Sequence, residues 1–198
     1  MELFCVCRVR VTLDKHFGSV NIVKAVPVDP HNNQRDGPSF VSAARDGMIN
    51  MWTAEGDCLL SQGAHRHAVN CLSEFQSYDN NIDPSVCSNP SFISSGGDNV
   101  VKIWDSRRLK VTSSFNASNV VKTAWFHHGI ITGFSSGSIC CWDLQTTGGE
   151  AAEEADLPRT WTSRVLGTHS HAVTDIVSDK GCVASSSKSG QILRWQAR

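Results

Sequence analysis

The sequence predicts an all-β chain of about four stacked sheet units, and three observations carry that expectation. One phrase occurs four times, from Phe40 to Trp52, Phe92 to Trp104, Ile130 to Trp142 and Val183 to Trp195. Each copy reads as an apolar start, a run of small residues, a turn, and an alternating strand that ends on tryptophan. A second piece lies upstream of each phrase at a constant interval of four: His16 with Val20, His65 with Val69, Asn116 with Val120, His169 with Val173. A repeat of roughly 40 residues with this content signals β-units that stack because none can bury its faces alone.

Taken in chain order, the segment Leu3–Leu13 alternates, with Cys5, Cys7, Val9, Val11 and Leu13 opposite Arg8, Arg10 and Thr12. That is the pattern of a half-exposed strand. Within the repeats, short strands are broken by turn chemistry. In the third unit Val120–Phe126 reads as a strand, His127-His128-Gly129 as a turn and Ile130–Phe134 as the next strand. Ser135-Ser136-Gly137 is a second turn and Ser138–Trp142 the third strand. Six positions before the tryptophan stands Asp46 or Asp98 in the first two units, and Ser136 or Ser189 in the last two. A glycine follows in three units (Gly47, Gly137, Gly190), as a tight hairpin needing positive φ requires. Asn99 fills that slot in the second, and Asn tolerates the conformation. Between units, His65-Arg66-His67-Ala68-Val69 nearly matches His169-Ser170-His171-Ala172-Val173, where the chain turns from an outer strand to an inner one.

These repeats resemble the WD-repeat β-propeller family, whose blades run from a Gly-His-like start to a Trp-Asp end. The dipeptide stands at Trp104-Asp105 and Trp142-Asp143, while Trp52-Thr53 and Trp195-Gln196 depart from it. The resemblance implies a single region over 1–198: a β-propeller of about four WD-type blades, with boundaries near 14–61, 62–113, 114–166 and 167–198. It also implies a structural network in each blade linking a His, a strand Ser or Thr, the turn Asp and the tryptophan indole. Carried over, the first blade uses His16, Ser42, Asp46 and Trp52. The second, the most complete, uses His65, Ser94 or Ser95, Asp98 and Trp104. In the third, Asn116 and Ser136 replace His and Asp around Trp142. In the fourth, His169 and Trp195 remain and Ser189 replaces Asp. The physical sense is that a buried indole N–H needs an acceptor.

The fourth unit lacks an outer strand of its own after Trp195. Two arrangements follow. Residues 3–13 supply that strand and close a small ring, or the chain is a partial propeller: a fragment, a truncated gene product, or a half completed by another chain. Propellers typically have 4 to 8 blades, which admits both, and an open version leaves unpaired edges.

Composition narrows the function classes. Net charge is -1, and Lys and Arg are scattered rather than striped, unlike a nucleic-acid binder. No stretch is apolar for long enough to span a membrane as a helix. The start carries Glu2 early and reaches Arg8 and Arg10 too soon for a signal peptide. The expectation is a protein of cytosol or nucleus, with neither membrane insertion nor a nucleic-acid partner. Cys5, Cys7, Cys71, Cys140, Cys141 and Cys182 sit inside expected strands, and no C-x-x-C pair exists, so they read as reduced structural thiols. The pairs His65/His67 and His169/His171 invite a metal, but one member of each has a structural place and no third ligand is spaced nearby. No catalytic elbow or phosphate-cradling loop is present. The expectation is no catalytic site, no cofactor and no metal.

Irregular inserts fall at Pro27–Ser39, Gln76–Ser91 and Gln145–Ser163, all on one rim by strand alternation. The third holds the acidic run Glu150–Asp156, read as a solvated loop, followed by Trp161, read as packing on an outer strand. The opposite rim, made of the His-containing and Asp-containing turns, stays short. Peptide binding in the family resembled here uses that short face. Its exposed members would be Arg45, Arg66, His67, His171 and Lys188, which lean basic and suit a weakly acidic peptide. The implied activity is a protein-interaction scaffold or adaptor; the alternative is a structural propeller segment within a larger assembly.

Overall fold

The computed structural model describes residues 11–26, 37–73, 91–106, 108–126, 129–146, 159–179 and 182–196. Among them are four antiparallel sheets, each a meander in sequence order. The first holds β1 (Val20–Ala25), β2 (Phe40–Ala44), β3 (Met48–Trp52) and β4 (Cys58–Gly63). The second holds β5 (Val69–Leu72), β6 (Ser91–Gly96), β7 (Val100–Asp105) and β8 (Lys110–Asn116). The third holds β9 (Val120–Phe126), β10 (Gly129–Phe134), β11 (Ser138–Thr146) and β12 (Arg159–Thr168). The fourth holds β13 (Val173–Asp179), β14 (Cys182–Ser187) and β15 (Ile192–Gln196), a three-stranded sheet among the described residues.

The hairpin between the second and third strands of every sheet places its fourth residue at positive φ. Gly47 (79°), Gly137 (93°) and Gly190 (78°) take it freely, and Asn99 (63°) takes it as the second unit's letter anticipates. The third repeat follows the expected strands closely, with one difference. β11 and β12 pair through Thr146↔Arg159 and Leu144↔Trp161, so the insert expected at Gln145–Ser163 is shortened from both ends by strand pairing.

The sheets stack as blades, with successive first strands β1, β5, β9 and β13 against one another. Three apolar cores fill the three seams. Val41, Ile49 and Met51 of the first blade meet Val69, Leu72, Phe92 and Trp104 of the second. Ile93, Val101 and Ile103 meet Val120, Ile130 and Trp142 at the next seam. Ala124, Ile131, Ile139 and Cys141 meet Val173, Ile176, Val183 and Trp195 at the last. Each tryptophan after the first therefore packs toward the blade before it. The alternation of strand side chains produces this, since neighbouring residues such as Phe92 and Ile93 enter opposite seams. Trp161 on β12 packs on the outer strand β8, its indole N–H donating to Ser113 Oγ at 2.8 Å and its ring 5.2 Å from Phe115.

Of the segment expected to close the ring, residues 3–10 lie outside the described residues. Val11 and Leu13 lie against Gly56, in the β3–β4 turn of the first blade. Cys71, Cys140, Cys141 and Cys182 are free thiols on strands, as is Cys58 on β4. Burial, aided by the nearby Asp143, pushes the Cys141 thiol up to about 11, so it stays protonated and unreactive.

Candidate interaction rim

Two blades carry the complete hydrogen-bond network. In the first, Trp52 donates its indole N–H to Ser42 Oγ at 2.8 Å, Ser42 Oγ lies 2.7 Å from His16 Nε2, and His16 Nδ1 lies 3.0 Å from Asp46 Oδ2. In the second, Trp104 reaches Ser94 Oγ at 2.8 Å, His65 Nε2 lies 2.7 Å from that oxygen, and His65 Nδ1 lies 2.8 Å from Asp98 Oδ1. The chain of donors is consistent when each His carries its proton on Nδ1, toward the carboxylate, and accepts the Ser hydroxyl on Nε2. Between the two serines the sequence leaves open, the structure selects Ser94; Ser95 Oγ is buried without a partner.

Each carboxylate is also a backbone acceptor. Asp46 takes the amides of Phe17 and Met48, both at 2.9 Å, and Asp98 takes those of Arg66 at 3.0 Å and Val100 at 3.3 Å. Burial pushes both carboxyls up, but these amides and the facing His together outweigh it and hold both below the usual carboxylate value. Burial dominates at His65 and lowers its pKa, opposed by the hydrogen bond and charge of Asp98. The trio of Ser, His and Asp resembles a hydrolytic triad only in composition. Ser94 Oγ is buried and already accepts the Trp104 indole, so the arrangement braces a side chain rather than presenting a nucleophile.

The other blades are incomplete in different ways. In the third, Trp142 donates to Thr132 Oγ1 at 2.8 Å, an acceptor absent from the sequence-level set although Thr132 aligns with Ser42, Ser94 and Ser185. Ser136 bonds only locally, to Ser138. In the fourth, His169 Nε2 lies 2.6 Å from Ser185 Oγ, while its Nδ1 is buried with no partner. Ser189 turns instead to Ser187 Oγ at 2.7 Å. Each His-x-His pair splits, with His65 and His169 buried and His67 and His171 exposed. Among the described residues no three His, Cys, Asp or Glu side chains gather at metal-ligand spacing.

These networks position the short turns of one rim. Gly47 O accepts the amides of Ala64 and His65, Gly97 donates to Ala68 O, Gly137 O accepts from His169, and Lys188 donates its amide to Ala172 O. Arg45, Arg66, His67, His171 and Lys188 are all exposed on these turns. They form two groups. Arg45 stands on the turn whose Gly47 carbonyl takes the amide of His65, the residue just before Arg66 and His67 at the first seam. His171 and Lys188 share the fourth blade, where the Lys188 amide bonds Ala172 O. Beside the first group is an open cleft of about 530 Å³, lined by Gly63, Ala64, His65, Arg66, Asp98, Val100 and Lys102. Lys102, whose ammonium donates to Ala64 O, is the lining cation that sequence reading missed. Its only signal is a charge between Val101 and Ile103 on an otherwise apolar strand.

Comparison with known proteins agrees with this architecture. The family model "WD domain, G-beta repeat" matches residues 56–105, from the outer part of the first blade to the end of β7. The chain is 30% identical over 155 residues to "Nuclear distribution protein PAC1-1" of Uncinocarpus reesii, covering 71% of this chain and 32% of that protein. It is 23% identical over 235 residues to "Nuclear distribution protein PAC1" of Coccidioides posadasii, covering 87% of this chain and 48% of the other. The chain thus spans a third to a half of the length of these relatives. Among solved structures, the computationally designed Ika4 protein superposes with a TM-score of 0.65 at 20% identity, over 98% of this chain and 100% of that one, a likeness of fold.

Proposed function

Because this chain belongs to the WD-repeat family, we propose that it is a non-catalytic interaction scaffold that binds a weakly acidic peptide segment of a protein partner on its short-turn rim. One observation carries the reading: Arg66 and Lys102 line one cleft, with Arg45 across the same seam. Asp98, the carboxylate in that lining, already holds His65 and the Arg66 amide, so the two cations remain to meet a ligand's acids. His171 and Lys188 extend the basic character to the fourth blade. The site takes neither metal nor cofactor, and its partner is protein, met in cytoplasm or nucleus, not nucleic acid.

The test is fluorescence anisotropy with labelled Glu-rich and Lys-rich peptides of equal length. The intact chain should bind the Glu-rich peptide, more weakly at high salt. The double variant Arg45→Glu/Arg66→Glu should lose that binding while melting at the same temperature, since both side chains are exposed. Equal binding by the variant would remove the rim from consideration. No preference between peptides would favour the alternative of a structural propeller segment, a reading that the uncovered outer faces of the first and fourth blades support.

A further inference from the structure

Every seam inside the chain is made by the same positions. The residues three and one before the tryptophan reach forward from one blade: Ile49 and Met51, Val101 and Ile103, Ile139 and Cys141, all buried. They meet two residues on the first strand of the next blade: Val69 and Leu72, Val120 and Thr123, Val173 and Ile176, also all buried. At the first and third seams a backbone bond ties the rim above this packing, His65 N–H to Gly47 O and His169 N–H to Gly137 O.

The same two rows recur on the outermost blades without cover. Val20 and Val23, the counterparts of Val69 and Leu72, are 50% and 58% exposed. Ile192, the counterpart of Ile49, is 75% exposed, and Val177, on the same sheet face in register with Ala184 and Arg194, is 60% exposed. A Cβ on Gly47 or Gly137 would meet the carbonyl of the following blade's His, whereas one on Gly190 would meet nothing within 4 Å. Arg194 stands where Met51 does, and its guanidinium reaches back to Cys182 Sγ at 3.1 Å, laying its stem along the blade face.

We propose that these faces are the two halves of a fourth seam, filled by a second copy of this chain. The Ile192–Val177 face of one copy docks on the Val20–Val23 face of the other. The occupant follows from continuity with the three seams already present. The positions and the carbonyl awaiting a His amide are the same, and each copy carries both halves. A head-to-tail pair makes the contact twice and closes on a two-fold axis as eight blades, within the range propellers adopt. The proposal does not depend on the rim binding a peptide, because neither face includes Arg66 or Lys102.

Light scattering after size-exclusion of the full 198-residue chain tests it. The expected mass is twice the 21.6 kDa of one chain. Val23→Glu and Ile192→Glu each bury a charge in the docked pair but none in the single chain. Each should weaken association at least about tenfold while leaving the circular dichroism spectrum unchanged. An equimolar mixture of the two variants should recover a dimer, because one intact seam forms between the unaltered Ile192 face of one and the unaltered Val23 face of the other. A wild-type mass of 21.6 kDa would overturn the proposal and assign the faces to further blades or a different protein. So would a dimer that both variants leave intact, or a mixture that stays monomeric.

Discussion

One oxygen decides how Trp52, Trp104 and Trp142 are each held, while the Trp195 indole has no such acceptor among the described residues. One carboxylate decides how His16 and His65 are each held. Where Asp46 and Asp98 face a His, all polar atoms of the network are satisfied; where Ser189 stands, His169 Nδ1 is buried and alone. An unsatisfied buried group costs about 1–3 kcal/mol. Ser189→Asp should recover part of that, because the hairpin already carries the geometry that presents Asp46 and Asp98. The expected gain is about 1 kcal/mol. In a chain of this size that is a rise of roughly 2–4 °C in a thermal melt. Ser136→Asp is the natural control, since the third blade has Asn116 where the others have His. If both substitutions raised the melting temperature alike, the gain would belong to turn chemistry rather than to His169.

At the scale of strands and turns, the hairpins do two separable jobs, and glycine substitutions separate them. Gly47 and Gly190 share nearly the same φ, 79° and 78°. A Cβ on Gly190 meets nothing within 4 Å, while one on Gly47 would lie 2.3 Å from His65 O, across the first seam. In the single chain, at concentrations too dilute for two copies to dock, Gly190→Ala should therefore cost only the left-handed backbone penalty of about 1–2 kcal/mol. Gly47→Ala should cost clearly more in urea denaturation, because it also breaks the bonds from Ala64 and His65 to Gly47 O. Equal losses would mean that the turn, not the seam, sets the requirement. Strands and turns of this kind were legible in the sequence because alternation and turn residues are local signals, and Asn99 could be placed at positive φ from its letter alone. The choice of Ser94 over Ser95 was not legible. Two adjacent serines differ only in which face of β6 they occupy, and pairing register decides that. The extension of β11 and β12 past Leu144 was hidden for a similar reason, since polar residues at a strand end read as loop until a partner strand is known. Lys102 on the rim cleft was equally silent, because its neighbours on the strand announce burial.

Over the whole molecule, stability is a sum of blades and the seams between them, so a group at a seam weighs more than its own bonds. Nothing in the letters of Val20 and Val23 separates them from Val69 and Leu72; exposure there is a property of the neighbouring blade, which no local pattern encodes. His65 is the seam group that pH can address. Burial lowers its pKa below the ordinary value of 6.5, against the opposing pull of Asp98. The unfolded chain therefore takes up a proton near 6.5 that the folded chain refuses, and stability is lost as pH falls below that value. Asp46 and Asp98, held below 3.8, add a second loss at stronger acid, in the same direction. The urea midpoint should accordingly fall between pH 7.5 and pH 5.5. His65→Asn should lower the midpoint at pH 7.5, because it removes the partner of Ser94 and Asp98, yet shrink the difference between the two pH values. A wild-type midpoint that does not move over that interval would show that His65 titrates alike in the folded and unfolded chains. The first seam would then be held by its apolar core, and the histidine network above it would serve only to align the rim.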